Sequence, residues 1–359
     1  MTPQRHRSLD LLRGLMLVIM TIDHLDLFGP VYRFTYETFG FASAAEGFVL
    51  LSGVVAGLAY TRYLEEGRLA PKVTRRLLTL WHHHLVVVAG LLLLRWWRPD
   101  ERPAGSLAAS LAAAVGGVIL LNQEPPLDIL ALYLILVAVL PLVLRACRSG
   151  RAGAVIAVSV AVWLVDQVLS TRSWYPITIN FRVAGVPVIW PPNHFHLLAW
   201  QFLFVLGIYA GWRVATGRRA PVGPRGRLWL LAALGLAAAL GALRHGVGLP
   251  QLPETLLATG RPNLGWLRLV DVGLLAWLLL RLHRARPRLL RQPWLELLGR
   301  QSLSVFVWHV GLQLFLRPAY VDLAARHGAP MRLGLLAVAA ASLSLPAWWR
   351  ESHAQRRRI

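Results

Sequence analysis

A polytopic all-α membrane bundle is the fold this sequence predicts, and three observations predict it. Of its 359 residues, 56% are hydrophobic and only 15% are charged. Apolar runs such as "ILALYLILVAVLPLVL" and "LGLLAVAAASLSLPAWW" recur from end to end, near the ~20 residues a helix needs to cross a bilayer. Short basic linkers separate these runs. A soluble chain of this length would show amphipathic helices or alternating strands instead.

The elements follow in order. Segment 9–28 begins "LDLLRGLMLVIMTIDH". Its basic N-terminus imitates a signal peptide, but Arg13 and Asp23 interrupt the apolar stretch and no small-residue cleavage site follows. A retained first helix is therefore expected. Segment 41–61 carries a stripe of Ala42, Ala45, Gly53 and Gly57, the kind of face on which helix backbones approach closely. Segments 76–96, 128–145, 152–170, 196–212, 228–244, 265–281, 299–317 and 333–350 complete ten spans. The stretch 105–121 is mostly Ala, Gly and Ser and only marginally hydrophobic.

Charge decides the place of that stretch. Linkers 62–76, 145–151, 213–227 and 281–291, and the C-terminal "RESHAQRRRI", each hold three or more Lys or Arg. Basic loops stay in the cytoplasm. If 105–121 is re-entrant or lies on the outer surface, all of them fall on that side, with both termini inside. The opposite side then receives 29–40, 97–127, 171–195, 245–264 and 318–332. No repeat, coiled coil or disordered linker divides the chain, so one domain is expected over 1–359.

The net charge of +21 would suggest nucleic acid in a soluble protein. Here orientation signals account for it, and no nucleic-acid partner is expected. A single cysteine, Cys147, excludes an intrachain disulfide framework.

Candidate chemistry collects toward the outer side. In the first helix Asp10, Arg13, Gly14, Leu17, Thr21 and His24 share one stripe at three- and four-residue spacing,. Arg13 sits near the inner end and His24 about 16 Å further out. Ionisable groups in a span are costly and are candidates for function, so Asp23 and His24 stand out; an interfacial His24 and an Asp10–Arg13 pair that merely fixes the helix end also fit. Glu46 enters the second span at similar depth. A carboxylate there would raise the basicity of His24 and fix its tautomer for general base work; a hydrogen bond that only glues the two helices is the plain alternative. Asn122, Gln123, Asp128, Asp166, Asn193, His194, His196, Trp200, Gln201 and His309 lie toward the same side or within spans. His82, His83 and His84 are adjacent, so on a helix they point apart and do not ligate one ion; no metal is expected. Arg68, Lys72, Arg75 and Arg76 form an inner basic cluster suited either to phosphate or to orientation.

The stretches "RSLDLLRGLMLVIMTIDH", "FGFASAAEGFVLLSG", "PPLDILALYLILVAVLPL", "LAWQFLFVLG" and "LLGRQSLSVF" resemble, in that order, the OpgC family of membrane acyltransferases. That family is related to the acyltransferase-3 and heparan-α-glucosaminide acetyltransferase groups. Arg13 and His24 also show the R-x10-H spacing of the acyltransferase-3 group. The resemblance implies His24 as catalytic histidine and Glu46, Asp128 and Gln201 as site residues; Asp23 is the other carboxylate placed to orient the imidazole. The same resemblance implies donor binding by Arg13, with Arg75 and Arg76 as further candidates. Asn122, Asp128, Asn193, His196, Trp200 and Gln201 are then candidates for the acceptor side. It further implies acyl-CoA as cosubstrate with no bound cofactor, a succinyl or acetyl group moved to a glycan hydroxyl, and a bacterial inner-membrane location.

Two functions are compatible with these residues. One is an O-acyltransferase with His24 as base. The other is a transporter of a sugar, a lipid-linked sugar or an organic anion, with His24 and Glu46 as a proton relay. Transporters of many kinds have internal repeats and sites at the midplane. This chain shows no repeat, and its polar residues gather near one face, which favours the enzyme.

Overall fold

The computed structural model describes residues 6–102, 106–120, 127–171, 181–183, 186–188, 195–218, 226–245 and 260–356. Contacts divide the chain into two compact units: Met1–Leu51, Ala220–Thr259 and Trp266–Ile359 form one, and Ser52–Arg219 with Gly260–Gly265 form the other. Almost everything described is helical. In chain order come α1 (Arg7–Leu25), α2 (Tyr32–Thr35), α3 (Ala44–Glu65), α4 (Leu69–Trp97), α5 (Leu107–Val118), α6 (Asp128–Arg148) and α7 (Ala152–Thr171). A short antiparallel hairpin follows, β1 (Phe181–Val183) with β2 (Val186–Val188). Then come α8 (Leu197–Ala215), α9 (Arg227–His245), α10 (Trp266–Ala285), α11 (Pro293–Arg300), α12 (Ser302–Ser342) and α13 (Ser344–Arg356).

Seven helical stretches among the described residues are long and apolar enough to cross a membrane: α3, α4, Ala152–Ser170 of α7, α6, α8, α9 and the run Ser302–His353. The chain is a multi-pass membrane protein by this measure. Charge separates α1 and α10 from that group. Arg7, Asp10, Arg13 and Asp23 interrupt the first, and Arg268, Asp271, Arg281 and Arg284 the second.

Two expected loops are corrected. The basic linker 62–76 shrinks to Glu66–Arg68, because α4 starts at Leu69 and carries Lys72, Arg75 and Arg76 as helical residues. Arg and Lys are good helix formers, so basic composition marks a membrane boundary without ending the helix. The external loop 318–332 is also mostly helix. α12 continues through it and breaks at Gly328 (φ 72°, ψ −158°), a left-handed conformation that an L side chain resists. Beyond the break the chain doubles back, and Trp308 Nε1 donates to Ser342 Oγ at 3.1 Å. Within 97–127, α5 has 12 residues and is about 18 Å long at the usual rise, too short to cross as a helix.

In the first unit, α1 packs on α11 and α12. Gly14 faces the Leu295 carbonyl and Gly299 faces the Asp10 carbonyl, so close that a Cβ on either would strike backbone. Leu11, Leu12 and Leu290 form the apolar cluster beside this crossing. In the second unit, α4, α6, α7 and α8 pack together. There Gly53 and Gly57 of α3 meet Gly207 and Gly211 of α8, backbone against backbone, as small residues spaced by four allow. Gln201 joins α8 to α7, with Oε1 accepting from Ser159 Oγ at 2.7 Å and Nε2 donating to the Ser159 carbonyl at 2.8 Å.

Candidate functional site

The site is built where α1 and α12 run side by side. At the start of α1, Arg13 Nη2 donates to Ser302 Oγ at 2.5 Å, and its guanidinium lies 5.8 Å from the centre of the Phe48 ring. Eleven residues on, His24 Nδ1 lies 2.8 Å from His309 Nε2. Arg13 pairs with the first residue of α12 and His24 with a later one, so the two helices are parallel. Between them the buried residues of α1 are Gly14, Leu17, Met20, Thr21 and Asp23.

The histidines meet edge to edge. Their nitrogens are 2.8 Å apart, their centroids 4.9 Å apart and their planes 21° apart, so the ring edges, where the nitrogen lone pairs and N–H bonds lie, face each other. His309 is buried, and the Phe306 ring stands against it at 71°. His24 is half-buried. One nitrogen of the contact must be the donor and the other the acceptor, so the pair shares a proton.

The carboxylates around the outer end of α1 have other duties. Thr35 Oγ1 donates to Asp23 Oδ1 at 2.5 Å. Asp26 accepts from the backbone N–H of Val31 at 2.8 Å and from Tyr320 at 2.7 Å, and Arg332 lies 3.6 Å away. Glu46, expected beside His24, is held elsewhere. Its Oε1 lies 2.8 Å from Arg268 Nη1, and its Oε2 accepts from the Ser43 N–H at 2.9 Å and from the Ser43 hydroxyl. The reason is charge: the α10 arginine, buried among apolar helices, needs carboxylates. Arg268 Nη2 also donates to Glu37 at 2.6 Å, and Arg244 Nε donates to the other Glu37 oxygen at 2.6 Å. Asp271 accepts from the N–H groups of Phe41 and Ala42 at 2.7 and 2.8 Å. This network fixes the chain between α2 and α3.

In the second unit the acceptor-side candidates separate by what their polar atoms do. Trp200 is fully buried and donates to the carbonyls of Arg261 and Pro262 at 3.2 and 3.1 Å. Gln201 is occupied by Ser159 as described. These bonds hold the helices of the second unit together. Asp128 is buried at the head of α6 and accepts from the Ile129 N–H at 2.8 Å. His196 Nδ1 lies 3.1 Å from buried Asp166 Oδ2. The carboxylate–imidazole pair anticipated for His24 thus occurs here, at the start of α8. Asn122 and Asn193, with Gln123 and His194, lie outside the described residues. Arg75 is exposed and Arg76 half-exposed on α4.

Sequence reasoning passed over Glu37, Arg244, Arg268 and Asp271, and gave His309 no special place. An arginine and an aspartate three apart within one apolar run, "LRLVD", was the available signal for Arg268 and Asp271. Among the described residues no three His, Cys, Asp or Glu side chains gather as metal ligands. Of the histidine triplet, His83 contacts the Thr79 carbonyl at 2.7 Å and His84 the Gly117 carbonyl at 2.9 Å.

The family model described as "OpgC protein" matches residues 5–355, nearly the whole chain. No curated protein and no solved structure matches.

Proposed function

The chain belongs to the OpgC family, and from that premise we propose that it is a membrane O-acyltransferase. It moves an acyl group, succinyl or acetyl, from cytosolic acyl-CoA to a hydroxyl of an extracytoplasmic glucan or related glycan. The observation that carries this reading is the pairing of Arg13 with Ser302 and of His24 with His309 along two parallel helices. It gives one face of the bundle a cationic group near one end and a base near the other.

The chemistry follows from that separation. His24 takes the proton of the acceptor hydroxyl as its oxygen attacks the thioester carbonyl. The new C–O bond forms, the C–S bond breaks, and the CoA thiolate leaves and recovers the proton from His24. A base of this kind contributes about 10²–10⁴-fold; donors to the oxyanion supply much of the rest. Arg13 is about 16 Å from His24 along the helix, too far to serve that oxyanion. Its place is on the donor path, with Arg75 and Arg76 as phosphate partners at the inner face. Acceptor contacts come from the outer side, with Asp128 and His196 the described candidates.

The same reading includes ten spans with both termini in the cytoplasm. The two arms of α12 with α13 account for two of them, and α1 and α10 join the remaining helices; the parallel run of α1 and α12 supports this order. The bilayer is then the inner membrane of a bacterium.

Mass spectrometry of envelope glycans from cells with and without the gene tests the reaction. The expected difference is one added acyl group per modified sugar. Purified protein should also bind acyl-CoA. Identical glycans, together with no thioester binding, would sink the enzyme and favour transport.

A further inference from the structure

We propose that a groove between α6, α7 and α8 holds one acyl chain of an anionic phospholipid, with the lipid's phosphate on Arg145 and Arg151 at the α6–α7 turn. The inference is independent of the reading of His24, because every residue it uses lies in the second unit.

The groove has a volume of about 490 Å³, within the roughly 300–1,000 Å³ of small-molecule sites. Leu136, Val139 and Val143 of α6, Val155 and Val158 of α7 and Phe204 of α8 make its wall. Val139 and Val158 are exposed, so the groove opens on the surface that lipid covers. Ser159, Gln201 and Arg151 are the polar side chains on its lining. Ser159 and Gln201 bond to each other, and the Gln201 amide also donates to the Ser159 and Leu198 carbonyls. A wall of this kind suits hydrocarbon and disfavours a polar ligand, whose groups would go unpaired. Left empty, it would forfeit dispersion contacts along both sides.

Length and charge point to a lipid. On α6 the lining runs from Ile135 to Ala146, about 17 Å at the usual rise. Half of a ~30 Å hydrocarbon core is about as long, so the groove spans one leaflet. It starts at the α6–α7 turn, and the positive charge is there too. Arg145, Arg148 and Arg151 stand at that turn, whereas Asp128 and Asp166, the acidic residues of these three helices, lie toward the opposite ends. Arg148 donates to the Leu64 carbonyl at 3.2 Å, and Arg213, at the matching end of α8, donates to the Arg218 carbonyl at 2.8 Å. Arg145 and Arg151 are exposed and have no carboxylate partner among the described residues. Arg145 is one turn from groove-lining Leu142, and Arg151 lines the mouth itself. A guanidinium suits phosphate by its charge and by its fork of donors, and basic pockets between membrane helices bind anionic head groups.

The test is native mass spectrometry of the detergent-purified full chain, titrated with a phosphatidylglycerol and with a phosphatidylcholine of the same acyl chains. Wild type should retain one phosphatidylglycerol and prefer it at least about tenfold, as two basic contacts to an anionic head group would give. Arg145→Gln with Arg151→Gln should erase the preference and leave weak binding of both lipids. Val158→Trp fills the groove from an exposed position and should lose both. Wild-type retention in Val158→Trp would overturn the groove as the site. Equal binding of the two lipids by wild type would overturn the anionic head group. Release of the lipid by added succinyl-CoA or acetyl-CoA would assign the groove to the donor and overturn the proposal as well. Should Val158→Trp not fold, phosphatidylglycerol with a photoreactive diazirine on its chain decides on wild type: crosslinks on α6, α7 and α8 are expected, and crosslinks confined to other helices overturn the proposal.

Discussion

Arg268 and Glu46 are joined across 222 residues of chain by a 2.8 Å ion pair in which both side chains are almost fully buried. The same guanidinium holds Glu37 at 2.6 Å. Replacing Arg268 by leucine would take the cation from buried Glu46 and leave Glu37 with Arg244 alone. Breaking a buried pair from one side costs about 3–5 kcal/mol, so Arg268→Leu should unfold at clearly lower temperature in detergent. The double variant Arg268→Leu, Glu46→Gln should recover part of that loss, because Glu37 keeps Arg244 and neither position is then left as a buried carboxylate without a cation. A thermal shift series checks both.

His24→Gln keeps a side chain of similar reach but loses basicity. It should stay folded, bind acyl-CoA and lose acyl transfer by at least about a hundredfold, the low end of general base effects. Single-turnover assays on donor-loaded protein measure this. Near-normal transfer would remove His24 from the mechanism.

Gly57 faces the Ile208 carbonyl and the Gly211 backbone. A Gly57→Leu side chain must push α3 and α8 apart, and close packing is what holds membrane helices together. The yield of monodisperse protein should collapse. Gly273→Ala, at a position with open space around it, should be tolerated. Fluorescence size-exclusion profiles of the two variants provide the comparison.

Single cysteines in a Cys147→Ser background report sidedness. Ser149→Cys, in the turn after α6, should react only after the cells are opened. Arg326→Cys, near the Gly328 break and 69% exposed at its side chain, should react in intact spheroplasts. Labelling of both from the same side would break the ten-span order.

Much of this could be read from sequence, and what could not has physical causes. The Arg13–His24 stripe was legible because helical spacing is a local property. The small-residue stripe at Gly53 and Gly57 was legible for the same reason. The partners of Glu46 and His24 were not, since they come from α10 and α12, more than two hundred residues away, and a single sequence carries no record of distant pairing. Glu46 advertised that a buried carboxylate needs a partner, and His24 was expected at similar depth on the neighbouring helix. The long helical reach of α4 and α12 was hidden by basic and small residues, which mark the water boundary but form helices well.

The short helix α5 has a consequence for biosynthesis. Its last turn is met from a neighbouring helix. His84 meets the Gly117 carbonyl at 2.9 Å, and the Trp81 indole N–H lies 3.4 Å from that of Val118. Both side chains sit on α4, upstream of α5. A ribosome therefore delivers these two side chains before the segment they meet. Too short to be recognised as a span of its own, α5 would enter the membrane as the client of a helix already in place, and the tryptophan–histidine run earns its position by timing as much as by geometry.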